Sequence, residues 1–185
     1  MTLRNTRDRW GAVAQGLHWL LAILIIAMVG LGLYMVELPL GVRMLELYAL
    51  HKSIGVTILL LMAVRLAWRL TNPTPTPAGP MKAYERRLAT AVHTLFYVVL
   101  FALPITGWLM SSAANFSVSV FGLFTLPDLV APDKALEERF KAAHRWLGWV
   151  LIGLFVLHVA GALKHHVMDR DDTLRRMVPG WRPRG

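Results

Sequence analysis

Long apolar runs alternate with short polar or proline-bearing stretches along this chain. Four of the runs approach the roughly 20 residues that a helix needs to cross a bilayer. They cover approximately residues 15–36, 47–69, 88–110 and 142–164. The expected architecture is an all-α membrane protein, one domain over 1–185, with four transmembrane helices in an up-down bundle. Pro39 ends the first helix, and a short loop, 40–46, leads to the second. The stretch TNPTPTPAGP (71–80) reads as an extended linker without a core of its own. Pro104 predicts a kink in the third helix, with Thr106 or a neighbour satisfying the backbone groups it frees. The longest connection, 111–138, contains NFSVSVFGLFTLP, apolar enough to lie over the helices as a lid or in the membrane interface. The charged tail after His166 is expected to be partly helical. The first run is not expected to be a cleaved signal: it is long, carries His18 near its start and has no small-residue cleavage site after it.

Composition agrees with the pattern. The chain is 56% apolar and only 17% charged, too greasy for an ordinary soluble domain of 185 residues. Charge adds orientation. Arg4, Arg7, Arg9, Arg65, Arg69, Lys82, Arg86, Arg87, Lys164, Arg170, Arg175, Arg176, Arg182 and Arg184 fall on one side of the four spans. Arg43, Lys52, Lys134, Arg139, Lys141 and Arg145 fall on the other. The positive-inside rule then places both termini in the cytoplasm. Acidic residues divide five and six, so the net charge of +9 lies on the cytoplasmic side and the outer side is near neutral. The excess of basic residues reflects topology, and nucleic-acid binding is not expected. The absence of cysteine excludes disulfides, Fe–S clusters, thiolate-bound haem and covalent c-type attachment.

Histidines carry the candidate chemistry. His144 and His158 lie fourteen residues apart on the last run. Fourteen residues advance a helix by about 21 Å and return it to within roughly 40° of the same face. Ionisable side chains in lipid are expensive and point to function. Two histidines at two depths suggest two iron ligands, one per haem. The same interval runs from His18 to Gly32, His51 to Arg65 and His93 to Gly107. An up-down chain therefore has one level with His18, Arg65, His93 and His158, and another with Gly32, His51, Gly107 and His144. At the second level His51 and His144 can clamp an iron. Gly32 and Gly107, helped by Gly55 and Gly148 one turn on, leave room for a flat macrocycle. At the first level His158 is a ligand whose partner spacing leaves open: His18–His158, His93–His158 and even His18–His93 are all possible. Arginines are natural partners for the haem carboxylates. Arg65 is the foremost candidate, being deepest in an apolar run, with Arg69, Lys82, Arg86 and Arg87 behind it. Arg43, Arg139, Lys141 and Arg145 are candidates for the outer level. His165 returns to the face of His158 and could meet a quinone headgroup or a haem carboxylate. His166 is expected to be a solvated interfacial histidine.

These residues resemble the bacterial cytochrome b561 family of the inner membrane over nearly the whole chain. The resemblance rests on GLHWLLA, LHKSIGVTILLLMAVRLAWRL, HTLFYVVLFALPITGWLM, AHRWLGWVLIGLFVLHVAGALKHHV and the tail DDTLRRMVPG. It implies two b haems held by His18 with His158 and by His51 with His144, leaving His93 in the environment of the inner haem. It implies a bacterial inner-membrane location and a quinone site near His165. It also implies an activity found in at least one member, the oxidation of periplasmic superoxide with reduction of ubiquinone. Both irons are then six-coordinate, and superoxide reacts at an exposed haem edge. Steering the anion to a charge-balanced face requires Arg139, Lys141 and Arg145 to cluster. Two rival readings stand beside this one. The first is a haem subunit relaying electrons between a partner dehydrogenase or hydrogenase and quinone. The second is a haem-free scaffold or transporter whose histidines line a pore.

Overall fold

The structure is a computed structural model and describes residues 2–181. Arg182 and Arg184, two of the tail's positive charges, lie outside the described residues. Four helices dominate: α1 (Ala12–Met35), α2 (Val42–Thr71), α3 (Ala83–Ala113) and α4 (Lys134–Val167). Each is long and apolar enough to cross a membrane, so the chain is an all-α, four-span membrane protein. All four match the apolar runs but extend beyond them, by more than one turn at the start of α2, α3 and α4. The cause is simple. Hydropathy marks only the lipid-facing length, whereas a helix continues into polar flanks while its backbone ladder and caps are satisfied. Asp133 caps α4: its Oδ1 accepts from the amides of Ala135 (2.7 Å) and Leu136 (3.0 Å). Ile23, Leu60, Val98 and Val156 are exposed on the helices because bilayer, not water, is their solvent. Pro104 lies inside an unbroken α3.

Two compact units divide every helix between them. The first, called here the His18 unit, comprises described residues 2–20, 63–97 and 152–181. The second, the His51 unit, comprises 21–62 and 98–151.

In the His18 unit three non-helical segments are knitted together. The Asn5 side chain donates to the Pro73 carbonyl (3.0 Å), and the Thr76 amide donates to Arg7 O (2.8 Å). Gln15, almost wholly buried, donates to Arg176 O (2.8 Å), and Trp19 Nε1 donates to Met177 O (2.9 Å). Arg176 in turn donates to Thr76 O (3.1 Å). The proline-rich linker is extended, as read from sequence, yet pinned along its length. The tail departs from expectation. After a left-handed Arg170 (φ 54°) it runs in turns rather than helix. Its groups bond to α1 and to the linker, which removes the need for a helical ladder of its own.

In the His51 unit the connection after α3 folds into a short antiparallel hairpin, β1 (Ser119–Val120) and β2 (Phe124–Thr125). Phe121 (φ 50°) and Gly122 (φ 72°) form its tip, and the Leu123 amide closes the turn on Val120 O (2.9 Å). Positive φ at both central residues matches the twist of paired strands; glycine takes it freely and phenylalanine does not. The hairpin is fixed to α2. Ser53 Oγ, 2% exposed, donates to Ser119 O (3.2 Å) or Ala49 O (2.9 Å) and accepts from the Phe121 amide (2.9 Å). Lys52 Nζ donates to Phe116 O (3.1 Å).

Candidate functional site

Each unit brings two histidines face to face from helices distant in sequence. In the His51 unit the rings of His51 (α2) and His144 (α4) have centroids 6.2 Å apart and cross at 70°. In the His18 unit His18 (α1) and His158 (α4) stand 6.1 Å apart at 57°. A metal–imidazole nitrogen bond is about 2 Å, so two rings clamping one ion place their centroids a little over ~6 Å apart. Both pairs fit that spacing. His93 (α3) also reaches His158, but at 5.5 Å and edge-on at 70°, closer than the clamp requires. Phe96 closes the same ring from another side, 5.5 Å away at 82°.

The second contacts of these rings differ. His144 Nδ1 lies 3.0 Å from the Leu103 carbonyl. A carbonyl only accepts, so Nδ1 carries the proton and Nε2 keeps the lone pair that a metal needs. Thr106 Oγ1 lies 3.3 Å from the same nitrogen and donates to Leu103 O (2.8 Å). The hydroxyl expected to mend the backbone around Pro104 thus sits at the His144 ring as well. His51 Nδ1 is buried without a hydrogen-bond partner. In the His18 unit Arg65 Nη2 lies 3.4 Å from His18 Nδ1, and Nη1 donates to Ala14 O (3.3 Å). Arginine has no acceptor, so this contact is a hydrogen bond only where Nδ1 is unprotonated; with the proton on Nδ1 the guanidinium acts on the ring by its charge alone.

Glycine supports one unit only. A Cβ on Gly107 would stand 3.3 Å from His144 Cε1, and one on Gly32 would stand 3.4 Å from His51 Cε1. Both glycines, expected to leave room for a flat macrocycle, also stand against the imidazole rings. A Cβ on Gly55 or Gly148 would meet nothing within 4 Å, so neither is brought against the rings.

The basic candidates separate. Arg65 lines a small cavity of about 20 Å³ with Arg69, Trp10, Trp68, Asn5 and Met177 among its neighbours. Arg69 also lies over the Tyr97 ring, 5.8 Å from its centroid. Lys82 lies over Tyr84 (6.0 Å). Among the described residues, no hydrogen bond joins Arg43, Arg86, Arg87, Arg139, Lys141 or Arg145 to any of the paired histidines, and Lys141 is paired with Glu138 (3.9 Å). Long side chains at helix ends choose partners that lie nearest, which sequence spacing does not encode.

At the end of α4, His165 Nδ1 meets Asp171 Oδ2 (2.8 Å) and Asp169 Oδ2 (3.0 Å). Lys164 joins Asp169 (2.7 Å) to Glu85 (2.6 Å). The three groups His165, Asp169 and Asp171 offer ligand atoms within 4.8 Å of one another, but the Lys164 ammonium already occupies the Asp169 oxygen. Burial alone would raise the Asp171 carboxyl. Hydrogen bonds from Thr173 and His165 outweigh it and hold the group below its usual range. His166 is not solvated as expected: it is half-buried, its ring 5.3 Å from that of Trp181, with Nδ1 buried and unpartnered. The tail turns back over it. Sequence reading missed Ser53, Leu103 and Asp171 as supporting groups. A backbone carbonyl leaves no trace in sequence, whereas Asp171 stood in a charged run six residues past His165.

Comparison with known proteins gives concordant likenesses. The model of a family described as prokaryotic cytochrome b561 matches residues 9–180. Cytochrome b561 homolog 2 of Escherichia coli (strain K12) is 39% identical over 179 residues, covering 96% of this chain and 95% of its own. Cytochrome b561 homolog 1 of the same organism is 30% identical over 131 residues, 70% and 73% of the two chains. A protein of Yersinia pestis named probable superoxide oxidase CybB is 30% identical over 174 residues, 92% and 96% of the two chains.

Proposed function

This chain belongs to the prokaryotic cytochrome b561 family, and from that premise we propose that it is a single-domain, di-haem superoxide:ubiquinone oxidoreductase. As a member it is a multi-pass bacterial membrane protein and an electron-transfer protein carrying haem b. The finer reading assigns His51 and His144 to one haem and His18 and His158 to the other. The observation that carries it is the pair of imidazole clamps, 6.2 Å and 6.1 Å between centroids, one in each unit. Haem b, when bound, supplies one-electron storage on iron between two nitrogen ligands. The chain's own residues do the rest. Leu103 O fixes the tautomer of His144, and Gly32 and Gly107 admit the ring edges.

Both termini are assigned to the cytoplasm, from the fourteen basic residues on their side against six on the other. The His51 unit is then periplasmic and the His18 unit cytoplasmic. Two superoxide anions each give up one electron and leave as dioxygen. Two electrons and two protons taken up on the cytoplasmic side convert ubiquinone to ubiquinol. His165, held by Asp171, is assigned to the quinone end as the group that passes a proton, Arg69 as a partner for a haem carboxylate, and Arg65, turned to His18 and Ala14 O, to the ligand ring. The name of the Yersinia relative favours superoxide as donor.

The test is a visible spectrum of the oxidised, purified protein under a controlled superoxide flux, with and without a soluble quinone. Rapid growth of reduced b-type bands, reversed by quinone, is the expected result. Bands that form with dithionite but not with superoxide would assign the electrons to a dehydrogenase or hydrogenase partner instead. A haem-loaded preparation without bands would remove the reading.

A further inference from the structure

We infer that Arg65 and the Leu103 carbonyl set the two centres at unequal reduction potentials, the His18 level higher, so that an electron is drawn from the His51 level towards the His18 level. The inference rests on the di-haem reading above. It starts from the opposite partners of two Nδ1 atoms. Arg65 Nη2 lies 3.4 Å from His18 Nδ1, and its guanidinium carries a permanent positive charge. Among the described residues no carboxylate pairs with it. Its other partners, the Ala14 carbonyl and the Tyr97 hydroxyl, are neutral, and Arg69 nearby adds charge of the same sign. A positive charge this close, in a site walled by Trp10, Trp68 and Leu17, favours the state that has gained an electron. The charge acts on either tautomer of a neutral His18 ring.

At the His51 level the sign reverses. His144 Nδ1 donates to Leu103 O at 3.0 Å. Donation to a carbonyl raises the basicity of the ligating nitrogen, and a more basic ligand favours the oxidised metal. Among the described residues no guanidinium hydrogen-bonds to either ring. Lys52, next to His51 in sequence, turns its Nζ to Phe116 O (3.1 Å) and over the Phe116 ring (5.5 Å). Arg65 is therefore a positioning residue for charge: it touches a ligand ring and acts through it.

The experiment is optical potentiometry of the purified holoprotein and of single variants, read at the b-type bands. The unmodified protein is expected to give two separate midpoints. His144→Ala should retain the higher one and His18→Ala the lower. Arg65→Gln keeps a donor for Ala14 O but not the charge. It should lower only the higher midpoint, changing that centre's share of an electron at least tenfold, about 59 mV for a one-electron centre. Arg65→Lys should restore most of the difference. Two haems with the His18-level midpoint below the other overturn the inference. So does an Arg65→Lys variant shifted as far as Arg65→Gln, which would reduce Arg65 to a packing role. The histidine variants decide the order even where Arg65→Gln fails to assemble. An unmodified protein with fewer than two haems overturns the di-haem reading itself, a result distinct from either.

Discussion

The two units face the same problem, holding a pair of imidazoles at about 6 Å, and solve it with different materials. The His51 unit uses small residues and backbone: two glycines at the ring edges, a carbonyl and a hydroxyl on Nδ1, and a serine that clips a hairpin to the histidine-bearing helix. The His18 unit uses charge and crowding. An arginine meets one ring, a third histidine and a phenylalanine crowd the other, and three irregular segments lock around the helix ends. Side chains supported by backbone are held by covalent geometry, whereas those supported by long charged side chains depend on what surrounds them. The first arrangement favours a fixed ligand field and the second a tuned one.

The largest expected effect breaks the pairing. His144→Ala should remove one haem and spare the other, halving the b-type absorbance, and His18→Ala should do the same to the opposite partner. A variant of either kind that keeps two normal haems would dissolve the two-unit assignment. Next in size is crowding at Gly107. Valine there forces the His144 ring aside, since even a Cβ stands 3.3 Å from Cε1. Haem content of the His51 level should fall several-fold, while alanine at the same site costs only a displaced band.

Ser53→Ala sharpens the comparison without touching a ring. Loss of a buried hydroxyl that holds Ser119 and Phe121 should cost about 1–3 kcal/mol locally. Amide exchange should quicken across 117–126 and stay constant in the tail. The smallest effect belongs to Asp171. Its carboxyl is held below its usual value, so its contribution is complete above the unfolded pKa, about 3.9. That contribution is lost as pH falls through the lowered folded value. Tail protection should be flat from neutrality to about pH 5 and erode in stronger acid, and Asp171→Asn should flatten that response.

How much of this was legible in the chain depends on the kind of contact. The four spans, the fourteen-residue interval and the meeting of His51 with His144 follow from helix period and lipid thickness, which are local and regular. Spacing could not choose among His18, His93 and His158, because three helices place a histidine near one depth and only ring separation distinguishes them. Gly32 and Gly107 were legible as small residues at the level of the His51–His144 pair, but their approach to the imidazole edges was not. His166 was misread because its place at the membrane boundary suggested solvent; the tail turns back after Arg170 and covers it with Trp181. Charge partners such as Lys164 with Glu85 join residues 79 positions apart, beyond any periodic signal.

The knot of Gln15 and Trp19 with Arg176 and Met177 also has a meaning in time. A ribosome delivers this chain from its first residue onward, and every residue of the His51 unit precedes residue 152. The His18 unit needs residues 152–181 before its last hydrogen bonds can form. Nascent chains halted after residue 151 should therefore own every part of one unit and lack His158 from the other. The residues of the His51 unit are thus complete first, and the bonds of the tail to α1 are the last to form.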